Sequence, residues 1–223
     1  MNNCCKFIAL AVLSLCCAAG NDVNAQAFRK GSLLISLSEG TTYSTYTTTN
    51  FSGNADVVNS GNNTGNHDPL TIEYGITNHW GIGINMGGDL YNVDPSKYYN
   101  FQTSTNNVKA VMSELTLDAN YHFFITRHVD LAAFVSLGFS SVSFSGNNNG
   151  DNAYQYKSGG MIVRSGTKAK YYFTKRFGAM GMVSIFATQN ASDGIKGNTV
   201  GNNYTTTIKG TAIEFGLCYR ILR

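Results

Sequence analysis

Period-two alternation runs through this chain in segment after segment, and it narrows the fold more than any other feature. Leu70, Ile72, Tyr74 and Ile76 fall on one face while Thr71, Glu73 and Gly75 fall on the other. Trp80, Ile82, Ile84 and Met86 oppose Gly81, Gly83, Asn85 and Gly87, within the stretch GIGINMGG. Leu115, Leu117, Ala119, Tyr121 and Phe123 oppose Glu114, Thr116, Asp118, Asn120 and His122. Further along, Leu131 to Phe139, Ala169 to Phe173 and Ile213 to Ile221 carry the same split, and weaker forms occur at Leu33 to Ser38 and Ala179 to Phe186. Successive side chains of a strand point to opposite faces, so each segment predicts a strand whose two faces meet unlike surroundings.

A repeat sets the number of strands. The pieces ITNHW (76–80), ITRHV (125–129) and FTKRF (173–177) share one pattern of apolar, Thr, two polar residues ending in a basic one, and apolar. Their threonines, Thr77, Thr126 and Thr174, are 49 and 48 residues apart, and each piece joins two alternating segments. Three copies of one hairpin supply six strands, and segments 31–40 and 205–221 add one at each end, which makes eight. The other connections, 41–68, 92–107, 146–159 and 190–204, are rich in Asn, Gly, Ser and Thr and read as long polar loops. Short turns therefore lie on one side and long loops on the other.

Alternation does not say whether the apolar face looks into a core or out into lipid. The N-terminus bears on that question. Lys6 precedes an apolar run from Phe7 to Ala19, and Val23-Asn24-Ala25 offers small residues for cleavage before Gln26. Residues 1–25 thus read as a secretory signal peptide and 26–223 as one domain. Cys16 and Cys17 suggest a lipoprotein signal, but Leu15 occupies the position where a small residue is wanted. Cys218 alone remains in the mature chain, so no disulfide framework can form. Charged residues are only 13 % of the chain, half the roughly 25 % of soluble domains. The net charge of +3 is scattered without a basic stripe, which argues against nucleic acid as a partner. No apolar run in the mature chain approaches the ~20 residues a spanning helix needs. If the chain enters a membrane, it does so as strands.

Aromatic placement favours lipid. Trp80, Tyr121, Phe123, Tyr171, Phe173, Phe177 and Tyr219 belong to the apolar set and crowd the strand ends near the short turns, where a membrane interface would hold them as a girdle. The polar face carries Glu73, Glu114, Asp118, Lys168, Lys170, Glu214 and Arg220, charges of both signs suited to filling a narrow lumen. A soluble lipocalin-like barrel would turn this arrangement inside out, but the sequence lacks an early Gly-X-Trp pattern and paired cysteines.

With its hairpin series YGITNHWGIGI, ANYHFFITRHVDLAAFV and AKYYFTKRFGAMGMV and its final strand AIEFGLCYRILR, the mature chain resembles the small eight-stranded outer-membrane barrels of Gram-negative bacteria, of the OmpA and OmpX type. That resemblance implies an all-β, up-and-down antiparallel transmembrane barrel, with short periplasmic turns, long extracellular loops and both chain ends on the periplasmic side. It also implies outer-membrane lipid and the barrel-assembly machinery as partners. The chain departs from the type at its end, Ile221-Leu222-Arg223, where an aromatic residue is usual; Tyr219 is the aromatic residue nearest that end.

Candidate chemistry is sparse. The lumen charges read as a structural network, because buried charges without partners cost several kcal/mol each, on the order of the penalty known for isolated buried ions. His122 faces the lumen near the short turns, away from the rim where small lipid-modifying barrel enzymes place their His and Ser, and His79 and His128 read as turn residues. His67 beside Asp68 reads as part of a solvated loop rather than a metal site, and GNNNGDN and NSGNNTGN lack the acidic spacing of a calcium loop. Tyr43, Tyr46, Tyr98, Tyr99, Phe101, Tyr154, Tyr156 and Tyr204 lie in or beside the long loops, as a recognition surface for an extracellular ligand or as an outer girdle. GIGINMGG fits neither a dinucleotide loop nor a P-loop, and its glycines read as inward positions kept small. The sequence thus predicts a non-catalytic outer-membrane barrel without cofactor or metal, serving envelope structure or surface interaction. A narrow channel for small solutes is the runner-up, ahead of a lipid-modifying enzyme.

Overall fold

The computed structural model describes residues 27–52, 55–93, 106–147, 153–192 and 203–221. Residues 1–25, expected as a signal peptide, the last two residues, Tyr98, Tyr99 and Phe101 lie outside the described residues. Every regular element among the described residues is a strand: β1 (Leu33–Ser52), β2 (Ala55–His67), β3 (Leu70–Gly75), β4 (Trp80–Val93), β5 (Asn106–Ile125), β6 (Val129–Asn147), β7 (Ala153–Tyr172), β8 (Phe177–Ser192) and β9 (Asn203–Ile221). All neighbours are antiparallel, and β1 pairs with β9 from Leu33↔Ile221 to Phe51↔Asn203, which closes the sheet into a ring. Closure removes the free edges that an open sheet would expose to hydrocarbon.

The nine segments make eight staves. Both β2 and β3 lie between β1 and β4, and they are one stave interrupted at Asp68-Pro69. Proline has no N–H to give to the ladder. The interruption is bridged by the Asp68 N–H donating to the Gly88 carbonyl and the Ser38 N–H donating to the Pro69 carbonyl.

Residues 41–68, expected as a loop, are instead most of a long hairpin, with Gly40 paired to His67 and Ser52 to Ala55. The other three long loops are also shorter than expected, since strands run to Val93, Asn147 and Ser192 and resume at Asn106, Ala153 and Asn203. Tyr154, Tyr156 and Tyr204 are accordingly strand residues. The physical reason is that strand pairing outlasts the apolar band. About 9–11 residues of tilted strand cross a membrane, whereas β1, β5 and β7 have 20 residues each.

The three short turns share one device. In each, the Thr Oγ1 accepts backbone N–H groups two and three residues on: Thr77 from His79 and Trp80, Thr126 from His128 and Val129, Thr174 from Arg176 and Phe177. This is the side-chain turn chemistry available to threonine. His79 and His128 also place Nδ1 within 2.9 and 3.0 Å of the carbonyls of His122 and Tyr172 on the next stave. Replacing Thr77 by valine, which keeps the shape and removes the acceptor, is expected to cost about 1 kcal/mol, read as a shifted urea midpoint for the folded barrel.

One irregularity serves the exterior. Between His122↔Ala132 and Phe124↔Leu131 the register slips by one residue, so Phe123 is a bulge. Phe123 and Phe124 are both exposed there, which strict alternation would forbid.

Candidate functional site

The interior is where the sequence has gathered its chemistry. It is layered, and the layers can be followed from the short turns upward.

At the base, Ala27 and Phe28 fold beneath the barrel, the Ala27 N–H donating to the Thr126 carbonyl and the Gly31 N–H to the Gly75 carbonyl. Phe28 packs in a buried apolar group with Leu34, Tyr172 and Cys218, joined by Ile125. Its ring lies 3.4 Å, centroid to centroid, over the His122 imidazole. Around His122 is a closed circuit of charge. Nε2 lies 2.7 Å from Glu73 Oε1 and Nδ1 lies 2.7 Å from Asp130 Oδ1. The Lys170 ammonium bridges the same two carboxylates, at 2.8 Å from Glu73 and 3.7 Å from Asp130. Arg220 donates to the Lys175 carbonyl in the third turn, and its guanidinium lies over the Tyr172 ring.

Above this, Lys168 donates to Asp118 (3.2 Å) and Asn120 (3.0 Å) and sits 4.3 Å over the Phe134 ring. Higher still, Arg164 donates to Glu114 at 2.8 Å and to the Ser184 hydroxyl. His67 lies between Glu114 and Glu214, while Ser38 donates to Glu214 and Thr42 to Asp89. A second apolar layer tops the polar ones: Tyr46, Tyr91, Ala110, Met112, Val142, Ile162, Phe186 and Ile208. The polar core is thus enclosed between two apolar plugs.

All seven charges expected in the lumen are there and buried: Glu73, Glu114, Asp118, Lys168, Lys170, Glu214 and Arg220. Four partners were not anticipated as charges of the network. Arg164 shares the parity of Lys168 and Lys170, but an inward apolar Ile162 and an outward polar Ser165 break the pattern around it. Asp89 and Asp130 follow by the same parity from Asn85 and Ala132. His67 is a correction: read as a solvated loop residue, it is fully buried in the lumen because the segment before Asp68 is strand. Tyr46 is another, since it points inward into the upper plug, while Tyr43 is exposed.

Two glycines of GIGINMGG, Gly81 and Gly87, leave space for this network. A Cβ on Gly81 would collide with the Glu73 carboxylate, and one on Gly87 would come within 2.7 Å of His67 Nε2.

Outside, the pattern reverses. Leu117, Phe139 and Phe215 are the most exposed of the large apolar side chains among the described residues, at 68 %, 71 % and 71 %. Trp80, Tyr121, Phe123, Tyr171 and Phe173 are exposed near the short turns, with Trp80 and Tyr121 ring centroids 4.9 Å apart; Phe177 and Tyr219 are half-buried there. An apolar belt around a charged, paired interior defines a membrane β-barrel.

Comparisons with known proteins agree with that class. No protein-family model matches the sequence, and no curated protein matches it. Among solved structures, the chain superposes on the outer membrane protein OprG from Pseudomonas aeruginosa with a TM-score of 0.50 at 13 % identity, covering 91 % of this chain and 100 % of that one. It superposes equally on the outer membrane protein AlkL, determined in lipid bilayers, with a TM-score of 0.50 at 10 % identity, covering 92 % of this chain and 96 % of that one. At these identities the likeness is one of fold: the chain has the fold of the small outer-membrane β-barrels.

Proposed function

We propose that this chain is an integral outer-membrane protein with a structural and surface-interaction role in the cell envelope, non-catalytic and non-conducting. The observation that carries the reading is the enclosed, internally paired lumen. Lys170, Lys168 and Arg164 each pair with a carboxylate of their own layer, and apolar side chains close the stack above and below, which favours stability over transport. An interior of ~8 strands is just wide enough for side chains to fill.

Against catalysis stands the state of His122. Both ring nitrogens are engaged by carboxylates and Phe28 covers its face, so no lone pair is left to take a proton from a substrate. A surface role is supported by the overhang, where β1, β2 and β9 continue their pairing past the apolar band and present exposed Tyr43, Thr45 and Lys209. Outer-membrane lipid is then the partner of the belt, the barrel-assembly machinery the partner in insertion, and an extracellular ligand the partner of the overhang.

The test is electrical. Protein that shows the heat-dependent gel shift of a folded barrel is placed in planar bilayers, and no discrete conductance steps are expected. Stable single-channel steps from such protein would overturn the non-conducting reading in favour of a narrow channel.

A further inference from the structure

The upper lumen layer contains a group of buried ligand atoms that approach one another without forming hydrogen bonds. His67, Asp89 and Glu114 come from consecutive staves: His67 is directly opposite Asp89, and Glu114 is opposite Gly87. All three side chains are buried, and one atom from each lies within 4.8 Å of the other two. Neither ring nitrogen of His67 makes a hydrogen bond, nor does Asp89 Oδ2 or Glu114 Oε1. Buried polar atoms are nearly always satisfied, whereas Asp89 Oδ2 has no hydrogen bond and His67 Nε2 and Glu114 Oε1 face each other at 3.4 Å without one, so these three atoms call for an occupant.

The remaining atoms of the same residues are held in place. Glu114 Oε2 accepts from Arg164 at 2.8 Å, and Asp89 Oδ1 accepts from Thr42 at 2.6 Å. His67 Nδ1 faces Glu214 Oε1 at 3.3 Å, and Glu214 Oε2 accepts from Ser38 at 3.0 Å. This is the order expected around a metal ion, in which each ligand is oriented through its other polar atom and a carboxylate backs the histidine. His67 Nε2 and Glu114 Oε1 are 3.4 Å apart. Two ligand atoms bound at about 2.0–2.1 Å around a tetrahedral ion are separated by about 3.3 Å. Charge points the same way, because among the described residues the carboxylates of Asp89, Glu114 and Glu214 are grouped with one guanidinium, that of Arg164, and the His67 imidazole.

We propose that the upper lumen binds one divalent transition-metal ion, with zinc the best match, through His67 Nε2, Asp89 Oδ2 and Glu114 Oε1. An imidazole with two carboxylates suits zinc, whereas magnesium and calcium take oxygen ligands. The ion joins β2, β4 and β5 beside the break at Asp68-Pro69, where the ladder is interrupted. Gly87 belongs to the site, since a side chain there would displace His67.

Because the site is enclosed, the ion is supplied during refolding. Full-length mature protein folded in detergent with zinc chloride, then freed of excess metal, is expected to retain one zinc per chain. H67A and D89N, each verified as folded by its gel shift, are expected to lose at least about tenfold in affinity, while H79A, altered in an exposed turn, keeps the wild-type stoichiometry. Magnesium in excess should not compete. Should both lumen variants fail to fold, refolding the wild type with cobalt(II) reads the site directly through the absorption of a tetrahedral nitrogen and oxygen complex. Absence of stoichiometric zinc and of that cobalt spectrum in the wild type, or undiminished binding by folded H67A, would overturn the proposal.

Discussion

Replacing Lys170 by methionine is expected to destabilise the folded barrel by about 3–5 kcal/mol, the cost of leaving buried charges without their partner. Lys170 is the cation that Glu73 and Asp130 share, and the two carboxylates also flank His122. Without the ammonium, two buried carboxylates are left with one imidazole between them. The effect is measurable by urea unfolding in lipid vesicles, followed through Trp80, the chain's single tryptophan, at the outer surface. The double variant E73Q/K170M removes one charge of each sign and is expected to recover part of the loss. A K170M barrel within about 1 kcal/mol of wild type would mean that water reaches this layer, contrary to its burial.

The second large effect is on the opposite face. Leu117→Arg puts a guanidinium near the middle of the apolar belt on β5, where the cost in a membrane barrel is about 2–4 kcal/mol. The same change at Thr45, exposed on the overhang of β1, is expected to be close to neutral. Comparing the two by the same unfolding assay measures where the belt ends. Equal effects at both positions would contradict the belt and return the chain to a barrel wetted on the outside.

The sequence spoke most clearly where the two faces differ most. Between Trp80 and Met86 or Leu115 and Tyr121, lipid on one side and a charged lumen on the other impose maximal contrast, so parity assigns every side chain correctly. Past the belt the contrast fades. In TYSTYTTTN and NSGNNTGNH the outward residues meet water, so polar residues suit both faces and the strands look like loops. His67 was hidden by that loss, since its burial depends on a strand whose apolar signature is absent. Asp89 and Arg164 obeyed parity, but in stretches where neighbours interrupted the pattern. The bulge at Phe123 has no sequence signature beyond two adjacent phenylalanines, and either register would have satisfied alternation. The convergence of His67, Asp89 and Glu114 depends on pairing register, which no single segment contains.

The position of Phe28 has a consequence for the order of assembly. Its seat is built from Leu34 on β1, His122 and Ile125 on β5, Tyr172 on β7 and Cys218 on β9. That seat does not exist until the last strand has zipped to the first. Phe28, which precedes every strand in the chain, is therefore expected to dock among the last, and its docking reports that the ring is complete. A barrel stalled before closure would leave Phe28 and the His122 circuit exposed at the base, so protection of that base from solvent marks the finished ring.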